Sequence, residues 1–222
     1  MSDAYRPIPH RPPRLDVAET LRRLREDLQT AEGRRSVRHF STDPVPREAI
    51  ELALRVAGTA PSGAHRQPWF FVAISDPEVK ARIREAAERE EREFYERRAT
   101  PEWLEALAPL GTDFVKTHIT DAPWLIVVFR RDHEVLPDGR KLKSYYLSES
   151  VGIAVGFLIQ ALHRAGLATL PHTPAPMTFL REICRPPGER EALRAPPGGV
   201  PEPRLRGADL ARKPLPEIAE IR

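Results

Sequence analysis

Three arginines and a serine fall within five positions, Arg34-Arg35-Ser36-Val37-Arg38, and about one helix later comes Ala60-Pro61-Ser62-Gly63-Ala64-His65-Arg66-Gln67-Pro68-Trp69. The first run can present several donors to a phosphate, because the planar guanidinium fork matches phosphate oxygens where lysine offers only a point charge. The second is a stiff, small-residue turn. Its proline fixes one dihedral, and its glycine lets the backbone come close to a planar ligand. Alone, the arginine run also fits an exposed basic stretch; the turn that follows favours an anion site. Glu91 and Tyr95 are four residues apart in a helical run, which puts them on one face. The surrounding Glu88-Arg89-Glu90-Glu91-Arg92-Glu93 also has the composition of any solvated helix, whose ion pairs contribute little.

Such groups need a folded frame. With 222 residues, 41% of them hydrophobic and 30% charged, the chain can bury one substantial core. A formal charge of +3, with signs mixed along the helices, argues against a nucleic-acid partner. The single cysteine, Cys184, excludes an intrachain disulfide framework and reads as a small packed thiol. No apolar leader or membrane-length stretch is present, so a cytoplasmic protein without a membrane partner is expected. His118, His133, His163 and His172 lack metal-ligand spacing and read as surface or packing residues, so no metal is expected. No nucleophile–histidine–acid set is evident.

The Pro-rich residues 1–15 read as a disordered arm and residues 16–222 as one domain. Val17, Leu21, Leu24 and Leu28 give an amphipathic helix ending near Gly33, and Pro46 opens a second through Ile50, Leu54 and Val56. Trp69 to Ile74 and Pro123 to Phe129 read as buried strands, and Leu167 to Leu170 as a short third. Asp76-Pro77 caps and starts a helix that runs into the charged stretch. A further amphipathic segment runs from about Pro101 to His118, broken or kinked near Pro109 and Gly111. Ser144 to Ala165 is a long helix, apolar on most faces, suited to the centre of the fold or a subunit interface. The sum is α+β.

The arginine run and the Ala-Pro-Ser turn with Gln67-Pro68-Trp69 resemble the flavin-dependent nitroreductase superfamily. Within it, Ala57-Gly58-Thr59-Ala60-Pro61-Ser62-Gly63-Ala64-His65 is most similar to the iodotyrosine deiodinase family, where many nitroreductases carry asparagine at the position of His65. The resemblance runs from about Gly33 to Pro174 and resumes from Asp209 to Ile218. It implies a nitroreductase-like FMN-binding fold, a central mixed sheet flanked by helices, and a domain-swapped homodimer. It also implies reductive dehalogenation of a halogenated tyrosine, with NAD(P)H as ultimate reductant, directly or through a partner reductase. Matched residue by residue, Arg34, Arg35 and Ser36 resemble phosphate and ribityl contacts, and Arg38 the arginine beside the flavin pyrimidine. Pro61 and Ser62 resemble flavin contacts made by the partner subunit, the Ala64 backbone N–H the donor to the substrate phenolate, and Arg212 a second phosphate arginine. Thr173 resembles the hydroxyl that bonds flavin N5 and favours one-electron steps. Glu91, Tyr95 and Lys116 match the residues of a lid, here about 88–118, that grips the substrate zwitterion and is ordered by it. A general nitroreductase or quinone reductase, and a flavin-binding protein without turnover, are the alternatives.

The match fails between Cys184 and Gly207, where the family has an apolar strand and this chain has Arg194-Ala195-Pro196-Pro197-Gly198-Gly199-Val200-Pro201-Glu202-Pro203-Arg204. Each proline removes a ladder donor, so residues 185–207 are expected to form no central strand. Either a loop replaces the strand or the recorded sequence carries a reading-frame slip.

Overall fold

The computed structural model describes residues 7–186, 191–194, 197–199 and 210–222. Contacts divide the chain into two units, Met1–Arg34 and Arg35–Arg222. In the first, residues 7–15 are exposed and irregular. Helix α1, Val17–Gly33, starts where the Asp16 carboxylate accepts the Glu19 N–H at 2.8 Å. Its expected apolar stripe is present, yet none of the helix is buried: Val17, Leu21, Leu24 and Leu28 are all exposed.

In the second unit, α2 (Arg47–Gly58) buries Ile50, Ala53 and Ala57 at helical spacing. Strand β1 (Trp69–Ile74) follows, and then α3 (Pro77–Glu93), whose Asp76 cap accepts the N–H groups of Glu78 and Val79. Lys80, Ile83, Ala86 and Ala87 form its buried stripe. The Lys80 ammonium is satisfied by the carbonyls of Thr120 and Ala122 at 3.1 and 2.7 Å. The chain continues through a π-helical turn, Phe94–Arg98, then α4 (Pro101–Leu107), a 3₁₀ turn (Ala108–Leu110) and Gly111, whose φ of 58° stops the segment. The Pro101–His118 segment is thus broken near Pro109 and Gly111, as their types predict. Next come α5 (His118–Asp121), β2 (Trp124–Arg130), a β3–β4 hairpin (His133–Val135 and Lys141–Lys143), α6 (Leu147–Arg164), β5 (Ala168–Thr169) and α7 (Thr178–Cys184).

Strand β2 is the axis of the core, with Leu125 to Phe129 fully buried. Alternation sends Leu125, Val127 and Phe129 to one face, where they pack with Ile83, Ala87, Ile119 and Leu180 of α3, α5 and α7. Ile126 and Val128 go to the other face, against Ile50 and Ala53 of α2 and Val151, Val155, Leu158 and Leu162 of α6. Helices therefore cover both faces. The ladders are antiparallel, and among the described residues the parallel pairing is the isolated bridge Ser36–Thr169.

The expectation that 185–207 holds no central strand is corrected. β6 (Glu191–Arg194) and β7 (Pro197–Gly199) both pair with β2, and β7 also pairs with β5, giving the order β1-β2-β7-β5 with β6 beside β2. The prolines are accommodated because the pairing comes in two short pieces, with a register shift at Val128/Phe129, and Pro197 is the first residue of its strand, where a missing donor is tolerated. Ala195, Pro196 and the prolines at 201 and 203 lie outside the described residues. A last helix, α8 (Leu215–Ile218), follows Pro214.

Candidate functional site

The parallel bridge Ser36–Thr169, with the Val37 N–H donating to the Thr169 carbonyl at 3.2 Å, ties residues 36 and 37 to β5. Val37 and Phe40 pack with Ala122 and Leu170, which fixes the backbone on both sides of Arg38. Arg38 reaches a cavity of about 370 Å³ whose other walls are the end of α3, the π-helical turn, α4, Thr112, Lys116, His118 and residues 170–175. Five of the residues singled out above, Arg38, Glu91, Tyr95, Lys116 and Thr173, line this one cavity. Phe94, Trp103, Leu107 and Leu110 supply its apolar wall, and Phe94 meets Tyr95 and Trp103 edge-on.

Glu91 is the focus of the charges. Its Oε2 lies 3.2 Å from Lys116 Nζ and its Oε1 3.0 Å from His172 Nε2, and all three side chains are largely buried. Burial pushes the carboxyl up, but the hydrogen bond from His172 and the Lys116 charge outweigh it and hold the group below its ordinary range. The Lys116 ammonium also donates to Thr112 Oγ1 and the Asp113 carbonyl, and it lies 5.7 Å from the centre of the Tyr95 ring. Its backbone N–H donates to Glu88 Oε1 at 2.8 Å, an oxygen that also accepts from Arg84 Nε at 2.7 Å. The Tyr95 hydroxyl donates to the Thr112 carbonyl, and burial pushes its phenol up. Tyr95 belongs to the π-helical turn, whose wider winding still leaves it on the cavity side with Glu91. Arg98, at the end of that turn, donates to the carbonyls of Glu90 and Ala175, tying the segment to the loop that carries Thr173.

Arg38 is half-buried, and burial lowers its pKa. Among the described residues no carboxylate pairs with it. Among the described residues the cavity therefore presents Arg38, with no carboxylate paired to it, beside a Glu91–Lys116 pair, a donor set suited to an anionic ring system and a zwitterion.

The other matched residues do not line the cavity. Arg35 and Ser36 are exposed just before Arg38, and Arg212 is exposed before α8. Arg34 caps the C-terminus of α1 in the first unit. Pro61, Ser62 and Ala64 lie on the turn after α2, where Ala64, His65 and Gln67 all adopt positive φ, 48°, 54° and 47°. That turn is held from within by Gln67 N–H to Ser62 Oγ, and from outside by Gly63 N–H to Ser150 Oγ. A side chain at Gly63 would meet the Tyr145 carbonyl at 2.6 Å, so only glycine fits. Strained backbone of this kind clusters at ligand clamps.

Two cavity residues escaped the sequence reading. Lacking metal-ligand spacing, His118 and His172 read in the sequence as surface or packing residues, but both line the cavity with rings 5.2 Å apart and edge-on. His118 is 6% exposed, its Nε2 has no hydrogen-bond partner among the described residues, and burial, with the cations around it, pushes its pKa down to about 3. The only sequence signal for His172 is its place directly before Thr173.

A family model described as the nitroreductase family matches residues 31–190. The chain is 49% identical to iodotyrosine deiodinase of Haliscomenobacter hydrossis over 206 residues, 93% of each chain. It is 42% identical to iodotyrosine deiodinase of Danio rerio over 95% of this chain and 72% of that one. A crystal structure of oxidized iodotyrosine deiodinase bound to FMN and 3-iodo-L-tyrosine superposes with a TM-score of 0.72 and 30% identity, over 85% of this chain and 97% of that one. A nitroreductase with bound FMN from Bacteroides fragilis shares the fold, with a TM-score of 0.61 at 19% identity over 86% of this chain and 94% of that one. The chain belongs to the nitroreductase family, alongside the iodotyrosine deiodinases.

Proposed function

We propose that the chain is an FMN-dependent reductase that removes halide from a halogenated tyrosine. The observation that carries this reading is the meeting of Glu91, Tyr95 and Lys116 with Arg38 and Thr173 on one cavity. Its volume, about 370 Å³, is of the size that takes a small molecule.

The residues fit FMN. Arg38 would sit against the electron-rich end of the ring and stabilise the negative charge of the reduced form. Thr173 has an exposed hydroxyl on the cavity to offer N5, and Arg34, Arg35, Ser36 and Arg212 would hold the phosphate and ribityl chain. When bound, FMN would supply the two electrons that, with a proton taken up from water, turn the carbon–halogen bond into carbon–hydrogen and free halide.

The remaining work falls to the chain. Glu91 takes the substrate ammonium, Lys116 takes its carboxylate, and Tyr95 adds a donor. Entry of the zwitterion exchanges the Glu91–Lys116 pair for two new pairs, so neither buried charge is left without a partner. Phe94, Trp103, Leu107 and Leu110 then exclude water from the aromatic ring, and segment 88–118 acts as the lid.

We further propose a homodimer in which the Pro61, Ser62 and Ala64 backbone completes the partner's site. Exposed Leu52 and Val56 on α2, and Gly152, Ile153, Gly156 and Phe157 on α6, form apolar faces that a second copy would cover. NAD(P)H, directly or through a reductase, is the proposed electron source, and the cytoplasm the proposed compartment. Among the described residues no helix is long and apolar enough to cross a membrane.

Anaerobic reaction of the photoreduced, FMN-loaded protein with 3-iodotyrosine tests the reading. Release of one iodide per reduced flavin is expected. Rapid reduction of nitroaromatics with no iodide release contradicts it.

A further inference from the structure

The two oxygens of Glu91 have different partners: Lys116 on Oε2 and His172 on Oε1. A carboxylate only accepts, so His172 Nε2 carries the hydrogen and donates. The bond spans 81 residues of sequence, from α3 to the loop after β5, and both side chains are about nine-tenths buried. His118 lies edge-on against the His172 ring and is itself buried, so the ring is hemmed in. A zwitterion arriving between Glu91 and Lys116 competes for Oε2; Oε1 stays with His172. Without His172, the carboxylate would lose its remaining anchor at the moment Lys116 turns to the substrate, and ordering it again would subtract from affinity.

We propose that His172 is a positioning residue for zwitterion recognition, holding the Glu91 carboxylate in the orientation that accepts the substrate ammonium. The inference rests on the halotyrosine reading above and adds to it a specificity-determining residue outside the Glu91, Tyr95 and Lys116 set.

The test uses FMN-loaded protein and compares affinity for 3-iodotyrosine with affinity for 2-iodophenol, which lacks the amino acid end, by quenching of flavin fluorescence. The ratio of the two affinities isolates zwitterion recognition from ring stacking and from any general loosening of the fold. In His172→Ala the preference for iodotyrosine falls about tenfold, the order expected for losing one hydrogen bond to a charged group. In His172→Gln, whose amide can donate in place of the ring, most of the preference returns. In a Glu91→Gln background, His172→Ala lowers the ratio no further, because the two act through one carboxylate. A ratio unchanged in His172→Ala, or a His172→Ala effect that persists in full on top of Glu91→Gln, overturns the inference while leaving the functional reading intact. A wild-type ratio near one overturns the functional reading, and the inference with it.

Discussion

At the scale of single residues, the cavity is organised by how few charges it leaves unanswered. Glu91 pairs with both Lys116 and His172, the Tyr95 hydroxyl donates to the Thr112 carbonyl, and Arg38 has no carboxylate partner among the described residues. His118 is the group whose titration matters most for stability. Its folded pKa is pushed from 6.5 down to about 3, so the native state keeps it neutral while the unfolded chain binds a proton. The stability that it contributes is fully present above about pH 6.5 and is lost as pH falls toward 3. A melting-temperature series across that window should therefore fall less steeply for His118→Gln than for the wild type; parallel slopes contradict the assignment. Helical periodicity puts Glu91 and Tyr95 on one face, but it is the family resemblance that singles them out, together with Lys116, from an ordinary charged helix. His118 and His172 were not legible. Their meaning comes from a contact between α5 and the loop after β5, 54 residues apart in sequence, which no local spacing encodes.

At the scale of elements, local rules carried most of the fold. Asp16 and Asp76 cap helices as their types demand, and the apolar runs at Trp69–Ile74 and Trp124–Arg130 are the two longest strands. The segment after Cys184 misled for a physical reason: proline content argues against a continuous ladder, whereas β6 and β7 need only a few donors each, on either side of a register shift. The long helix α6, whose apolar faces suit the centre of the fold or a subunit interface, divides its surface between the two environments. One face, Val151, Ala154, Val155, Leu158 and Leu162, is buried, and the other is exposed. The Ser62–Gln67 turn is the element most sensitive to one atom. Gly63→Ala brings a methyl against the Tyr145 carbonyl, which is backbone and cannot step aside, so a loss of about 1–3 kcal/mol is expected from overpacking. Urea denaturation at unchanged m-value should report it as a lower midpoint; an unchanged midpoint means that the turn and Tyr145 are not packed as described.

At the scale of the whole molecule, a single chain brings Arg38, Glu91, Tyr95, Lys116 and Thr173 to one cavity, while its own Pro61, Ser62 and Ala64 do not line it. Two copies exchanging those turns would complete two sites, with the apolar faces of α2 and α6 covered in the same step. Sedimentation of the FMN-loaded protein should then give a dimer, and dilution that dissociates it should release flavin in parallel; a monomer that keeps its flavin contradicts the shared site. In the proposed reading Glu91 and Lys116 grip the two ends of a halotyrosine zwitterion above FMN. The decisive measurement is titration of the holoenzyme with 3-iodotyrosine, followed by flavin fluorescence. Tight quenching is expected for the wild type, with binding weakened about 100-fold in both Glu91→Gln and Lys116→Ala, since each leaves a buried charge without its partner. If both variants bind iodotyrosine within twofold of the wild type, the proposed grip is wrong.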